Sequence, residues 1–280
     1  MSSKITSIMQ THSSGFTKSE IKICHYINSH RESVMYLSIT ELAELIGVGE
    51  ATILRFCRKI GYKGYQDFKL AMAKEPALNS IENHELSYID KLYEMMIKSL
   101  ENTKHLLDDL EIKHGCALIE QTNNVYVYGV GSSGLSAREA SSKFLRVGKH
   151  IEAITDSHFQ AINSATLSQE DVVIAITITG STIDLLDSVK IAKERGCKII
   201  AITSYIKSPI TKYADVVLLT SGKENPLEGG SLSAKMSQLF MIELLCIGYM
   251  INNAKVSEEM KNLTAGAVAN KLNEWVDYLN

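Results

Sequence analysis

Val172-Val173-Ile174-Ala175-Ile176-Thr177-Ile178-Thr179-Gly180-Ser181-Thr182 sets an apolar run of strand length against a turn holding four hydroxyls and a glycine. Residues 183–193 then follow at helical spacing, so the stretch reads as strand, turn, helix. Such a turn suits a monoester phosphate. It points free backbone N–H groups outward, the helix dipole favours an anion there by roughly 0.3 to 2 kcal/mol, and Ser and Thr hydroxyls add donors without charge. Gly180 allows close approach of the chain to the anion. Taken alone, the same residues also fit a polar loop with a good N-cap.

A second strand-to-helix turn adds weight to the phosphate reading. The alternating run Val125-Tyr126-Val127-Tyr128 leads through Gly129-Val130-Gly131-Ser132-Ser133-Gly134 into a helical pattern over 135–147. Gly-x-Gly-x-x-Gly also raises a dinucleotide reading, which asks for an acidic residue about twenty positions on, where Glu152 and Asp156 stand. Two hydroxyl-rich turns in one parallel sheet favour a compact phosphate ligand over that cofactor.

These turns, with Glu228-Gly229-Gly230-Ser231-Leu232-Ser233-Ala234-Lys235, resemble the three signature segments of sugar isomerase (SIS) domains, over roughly residues 111–250. The resemblance implies a parallel-sheet α/β/α domain that binds phosphorylated sugars. In that family the second loop typically reads Ser-x-Ser-Gly-x-Thr and its hydroxyls hold the phosphate. This chain has Thr177 and Thr179 where serines are usual, which keeps the donors and crowds the turn with methyl groups; Ser181 and Thr182 complete it. By the same match Ser133 contacts phosphate from the first loop, with Ser132 beside it, and Glu228 and Lys235 come from the third segment. Asp156 and His158 follow the strand 151–154 at the carboxyl edge, where they either bond sugar hydroxyls or cap the next helix.

The 280 residues, 45% of them hydrophobic, suffice for a sizeable core and a smaller second domain. No apolar run of about eighteen residues occurs and the start Met1-Ser2-Ser3-Lys4 is polar, so the expectation is a cytoplasmic protein without a membrane partner. Cys24, Cys57, Cys116, Cys197 and Cys246 are scattered in apolar surroundings, which predicts reduced core thiols and no metal or other cofactor. The formal net charge of −3 conceals an asymmetry: residues 1–75 carry ten basic and seven acidic side chains, and 51–74 carry six basic against Asp67 alone. A local basic stretch in an acidic protein points to an anionic partner for that stretch.

That stretch lies in a helix-turn-helix pattern. Thr17-Lys18-Ser19-Glu20 is a capping box for a helix with Ile21, Cys24, Tyr26 and Ile27 as its apolar face. Thr40 is read as the cap of 41–46, Gly47-Val48 as the turn, and Glu50 to Ile60 as a third helix with Ile53, Leu54, Cys57 and Ile60 inward. Its other face presents Glu50, Ala51, Thr52, Arg55, Arg58 and Lys59, with Lys63 on a short wing or turn over 61–65. Arg55 is long enough to reach a base edge, whereas Arg58 and Lys59 stand where phosphates pass.

Both halves together resemble RpiR-type transcriptional regulators, over almost the whole chain. The resemblance implies a three- to five-helix DNA-binding domain (1–76), a linker with connecting helix (77–110), a SIS domain (111–250) and a helical tail (251–280). It further implies a homodimer or homotetramer on a palindromic operator, controlled by a phosphosugar. Pro76 and 77–83 read as the hinge. From Leu86 onward, Ile89, Leu92, Tyr93, Met96, Ile97 and Leu100 predict a helix covering the sugar domain or a dimer interface; Met95, Met96 and Leu100 read as core. Val268, Leu272, Trp275, Val276 and Leu279 predict a packing helix. The alternative function is a phosphosugar isomerase with Glu228 as base and His158 or Lys235 assisting. An isomerase has no evident use for a basic helix-turn-helix, which favours the regulator.

Overall fold

A computed structural model describes residues 4–75, 87–222, 227 and 231–273. The chain forms two compact units with their border near Ile97.

The first unit holds α1 (Lys4–His12), α2 (Lys18–Ser29), the single turn α3 (Arg31–Val34), α4 (Ile39–Ile46), α5 (Glu50–Lys59) and α6 (Tyr65–Lys74). The Thr17–Glu20 capping box opens α2 as expected. Ile23 and Ile27, four apart, form the buried face of α2, while Ile21 is 47% exposed and Cys24 and Tyr26 are half-buried. The sequence reading of that face was therefore turned by part of a helical turn. A second box, Ser38 with Glu41, opens α4, so Thr40 is not the cap; its hydroxyl donates to Glu50 Oε1 at 2.8 Å instead. Ser38-x-x-Glu41 wins because both of its arms close, Ser38 onto the Glu41 N–H and Glu41 onto the Ser38 N–H. Gly47 ends α4 in the left-handed conformation at φ 73°. Ile53, Phe56, Cys57 and Ile60 of the third helical pattern reach the core, with Leu54 half-buried, and Phe56 was missing from the expected inward face. Residues 61–64 form a turn rather than a wing: Tyr65 opens α6, buried with its hydroxyl at the Val34 and Leu37 carbonyls.

Continuing along the chain come α7 (Tyr88–His105), α8 (Asp109–Gln121), β1 (Val125–Tyr128), α9 (Ser132–Arg146), β2 (Ile151–Ile154), α10 (Ser157–Thr166), β3 (Val172–Ile176), α11 (Ile183–Glu194), β4 (Lys198–Thr203), β5 (Val216–Leu219), α12 (Leu232–Asn252) and α13 (Ala254–Asn273). The five strands are parallel in the order β2-β1-β3-β4-β5, with Tyr128 of β1 opposite Ala175 of β3. Ile174, Ile176, Ile200 and Ile202 face a core shared with α8, α9 and α12, and Val173, Ala175, Ile199 and Ala201 face one shared with α11. This alternation lets two adjacent strands send their following helices to opposite faces: α9 after β1, α11 after β3. Strand order reverses between those two strands, and the gap this leaves at their carboxyl ends is where ligands of such sheets bind. The helix with the composition of a membrane span, α12, buries Ser237 and Gln238 along with its apolar residues and packs on α8 and α9.

The expected core role of α7 is overturned within one chain. Ile89 (61%), Tyr93 (63%) and Met95 (46%) are exposed, and the buried residues of α7 are the hydroxylic Ser99 and Thr103. Among the described residues that stripe stays exposed, whereas Ser99 and Thr103 bond the Ser221 and Ser237 hydroxyls at 2.7–3.4 Å. Val268 of α13 is likewise 52% exposed. Pro76, 77–83, Leu86, Trp275, Val276, Leu279 and the side chain of Leu272 lie outside the described residues. All five cysteines are free thiols, four of them buried; burial pushes Cys57 and Cys197 up to about 12 and Cys246 to about 11.

Two carboxylates tie the second unit to neutral pH. Burial is the largest single influence and pushes Asp171 and Asp215 up, but their donors together outweigh it: Asn124 and Ser168 at Asp171, Lys193 and the Ile199 N–H at Asp215. Both folded values therefore lie below the ordinary carboxylate range. A lowered folded pKa contributes stability above the unfolded value, near 4, that is lost as pH falls through the folded value. We expect the urea midpoint of this unit to hold from pH 7 to about 5 and to drop below about 4, with Asp171→Asn giving a lower but flatter acid limb. An unchanged acid limb in that variant, followed by circular dichroism, would count against the assignment.

Candidate functional site

In the second unit, the helix N-termini separate into two kinds. Asp108 caps α8 and Asp156 caps α10 through side-chain hydrogen bonds. Gly131 before α9 and Thr182 before α11 provide none. Those two are the helices that follow the hydrogen-bonded neighbours β1 and β3, so two helix starts without a side-chain cap flank the topological switch point. The arrangement suits an anion that supplies the missing acceptors.

Hydroxyls line the β3–α11 turn. Thr177, 4% exposed, accepts from the Gly180 N–H at 3.2 Å and so shapes the turn from inside. Thr179 Oγ1 accepts from both the N–H (3.3 Å) and the Oγ (3.0 Å) of Ser181, which leaves the Thr179 proton available to an incoming oxygen. Thr182 Oγ1 lies 3.4 Å from Thr177 Oγ1. Gly180 is required twice over: its φ is +63°, and a Cβ there would collide with Ser208, whose loop it meets through the Ile210 N–H to Gly180 carbonyl bond.

The β1–α9 turn is held from three sides. At Gly129 a Cβ would stand 2.6 Å from the Ser133 carbonyl oxygen, so the turn closes only around glycine. The Gln160 amide, fully buried, donates to the Gly129 and Ile154 carbonyls and joins the ends of β1 and β2. From α12, Lys235 Nζ donates to the Ser132 carbonyl at 3.0 Å, and Gln238 Nε2 donates to Ser133 Oγ at 3.1 Å. Burial holds the Lys235 ammonium below its ordinary pKa, which places a partly desolvated cation at the first-loop helix start.

Of the sequence candidates, Ser132, Ser133 and Lys235 are brought together at one turn, and Thr177, Thr179, Ser181 and Thr182 at the turn of the adjacent strand. Asp156 takes the second of the two roles open to it, since its carboxylate accepts from the Phe159 N–H at 3.0 Å. With exposed His158 it follows β2, one strand away from the switch point. Glu228 lies outside the described residues. Gln160 and Gln238 escaped the sequence reading because neither sits in a loop motif; for Gln238 the signal was its i,i+3 spacing from Lys235 on one helix face.

In the first unit, α5 exposes Ala51, Arg55, Arg58 and Lys59, with Glu50 and Thr52 half-buried, and Lys63 is exposed on the following turn. Among the described residues, Arg55 is held by Thr52 Oγ1 at 3.3 Å. Lys59 departs from the expected role: its ammonium donates to the Gly15 carbonyl at 2.6 Å and to Glu20 at 2.8 Å, 5.5 Å from the Phe16 ring centroid. Burial raises the Glu20 carboxyl, yet Lys59 and the Thr17 donors outweigh it and leave it below its ordinary value. Lys59 is thus a strut between α5 and α2.

Comparison with known proteins matches residues 3–79 to the helix-turn-helix domain of the rpiR family and residues 118–248 to the SIS domain. An uncharacterized HTH-type transcriptional regulator of Haemophilus influenzae is 31% identical over 277 residues, covering 95% of each chain. Another from Clostridium perfringens is 36% identical over 264 residues, 91% of this chain and 95% of that one. The solved structure of the Vibrio vulnificus NanR protein complexed with ManNAc-6P is similar at a TM-score of 0.87 and 25% identity, over 95% of this chain and 98% of that one.

Proposed function

Because the chain belongs to the rpiR family of helix-turn-helix transcriptional regulators, we propose that it binds an operator through α5 and is controlled by a phosphorylated sugar seated at the β1–β3 switch point. The observation that carries the effector half is the pair of adjacent helix starts, α9 and α11, with no side-chain cap and hydroxyls around them. Thr179, Ser181, Thr182 and Ser133 hold the phosphate, with Ser132 beside them, Thr177 bracing the turn and Lys235 adding positive charge. His158 and Glu228 are left to the sugar hydroxyls, while Asp156 caps α10. A 6-phosphorylated sugar as effector is supported by the likeness to NanR, which is complexed with ManNAc-6P.

Arg55 reads a base edge from the middle of α5, while Arg58 and Lys63 contact phosphates and Glu50, Ala51 and Thr52 line the groove entry. A second copy covers the exposed apolar stripe of α7, making the homodimer that a palindromic site needs. The protein works in the cytoplasm, where operator and sugar phosphate meet, and turns nothing over.

Effector and operator binding are expected to be linked by about 1 to 3 kcal/mol, equally in both directions. Half-sites lie about one helical turn apart, roughly 34 Å, so a small change in the spacing of two recognition helices alters the fit. The test is calorimetry of ManNAc-6P, glucose 6-phosphate and fructose 6-phosphate with and without operator DNA. A change of roughly 5- to 150-fold for one sugar supports the reading. Equal affinities for all three argue against a switch, and isomerase turnover abolished by Glu228→Gln would replace it.

A further inference from the structure

We propose that Gln238 of α12 is a positioning residue for the phosphosugar, setting the Ser133 hydroxyl so that its proton points at the phosphate; this rests on the effector site proposed above. Gln238 is 1% exposed in the core and its amide is hydrogen-bonded at both ends. Nε2 donates to Ser133 Oγ at 3.1 Å, and Oε1 accepts from Ser136 Oγ at 2.8 Å. A hydroxyl has one proton and can accept as well as donate. When Ser133 accepts from the amide, its own proton has no call on it from Gln238 and is free for the ligand.

The chain Ser136 O–H to Gln238 Oε1, Gln238 N–H to Ser133 Oγ, Ser133 O–H to phosphate runs in one direction. Only a side chain with a donor at one end and an acceptor at the other sustains it. A carboxylate at 238 accepts at both ends, draws the Ser133 proton back into the core and adds a negative charge near the phosphate. An apolar side chain of the same length leaves Ser133 unoriented without reversing it. Lys235, one helical turn earlier, holds the Ser132 carbonyl, so α12 grips the first loop at two consecutive residues. That grip gives α12, which lies far along the chain from both hydroxyl turns, a direct part in recognition.

The experiment is calorimetry of the full chain and its Gln238→Glu and Gln238→Met variants with ManNAc-6P, glucose 6-phosphate, fructose 6-phosphate and inorganic phosphate at pH 8 and pH 5.5. Melting temperature and operator binding without ligand are measured in parallel. For the best sugar phosphate we expect a loss of about 30-fold or more in Gln238→Glu at pH 8 and about 3- to 10-fold in Gln238→Met. The wild-type to Gln238→Glu ratio should shrink at pH 5.5, where protonation of a buried carboxyl restores a donor. In the Ser133→Ala background, Gln238→Met should cost nothing further. Two results overturn the positioning role: Gln238→Glu binding like wild type, or both variants losing equally at both pH values with additive loss on Ser133→Ala. Should wild type itself bind none of the four probes, the effector site falls and this inference with it, a failure distinct from the first two.

Discussion

Alanine at Arg55, Arg58 and Lys63 together is expected to weaken operator binding by about two to three orders of magnitude near physiological salt. The three losses differ in kind. Arg55 lies in the middle of α5, exposed and bonded to Thr52, and removing a base contact costs about 1 to 3 kcal/mol and relaxes sequence preference. Arg58 in the last turn of α5 and Lys63 on the next turn neutralise phosphates, and each lost contact lowers the slope of log affinity against log salt by about 1 per half-site. Fluorescence anisotropy across a salt series separates the two behaviours. Wild-type affinity and slope in the triple variant would show that α5 does not dock on DNA. Lys59→Ala is the internal control. Its ammonium is spent on Glu20 and the Gly15 carbonyl, so it should cost about 1 kcal/mol of stability while leaving the salt slope unchanged.

The second large effect is expected at the β3–α11 turn. Thr179→Ala with Ser181→Ala should reduce sugar phosphate affinity by about 2 to 5 kcal/mol, because hydrogen bonds to a charged oxygen contribute about 1.5 to 3 kcal/mol each. The two single variants should sum to more than the double. Ser181 Oγ donates to Thr179 Oγ1 at 3.0 Å, so removing either hydroxyl already disturbs the other. Operator affinity without ligand should stay near wild type, since these residues lie in the second unit. Calorimetry in which the double variant binds the sugar phosphate as tightly as wild type would remove the phosphate from this turn.

Sequence alone determined the elements whose signals are local. The strand Val172–Ile176, the hydroxyl turn after it and the helix beyond were legible because a continuous apolar run of strand length gives way across a glycine to a period of 3.6. The Thr17–Glu20 box and the Gly47 turn were legible because capping depends on residues within three or four positions. Elsewhere the local reading was displaced: Thr40 was read as the cap that Ser38 forms, and Ile21 as core where Ile23 is buried. The cap turns on the two arms that Ser38 and Glu41 close locally, and the buried face of α2 on side chains such as Phe56 and Leu42 supplied by other helices.

Tertiary structure decided the rest. Nothing in the linear order says that β1 pairs with β3, yet that pairing turns two separate Ser/Thr loops into neighbours with their helices on opposite faces. Packing of α5 on α2 turned Lys59 inward to Glu20, thirty-nine positions away, and packing of α12 on α9 brought Gln238 to Ser133 from 105 positions away. Side-chain reach is only a few ångströms, so a partner far along the chain leaves no periodic trace in the sequence, and its identity is fixed when the elements pack. The apolar stripe of α7 marks the same boundary: its helical spacing was legible, but its exposure became visible only once the helix had folded with hydroxyls as its buried side.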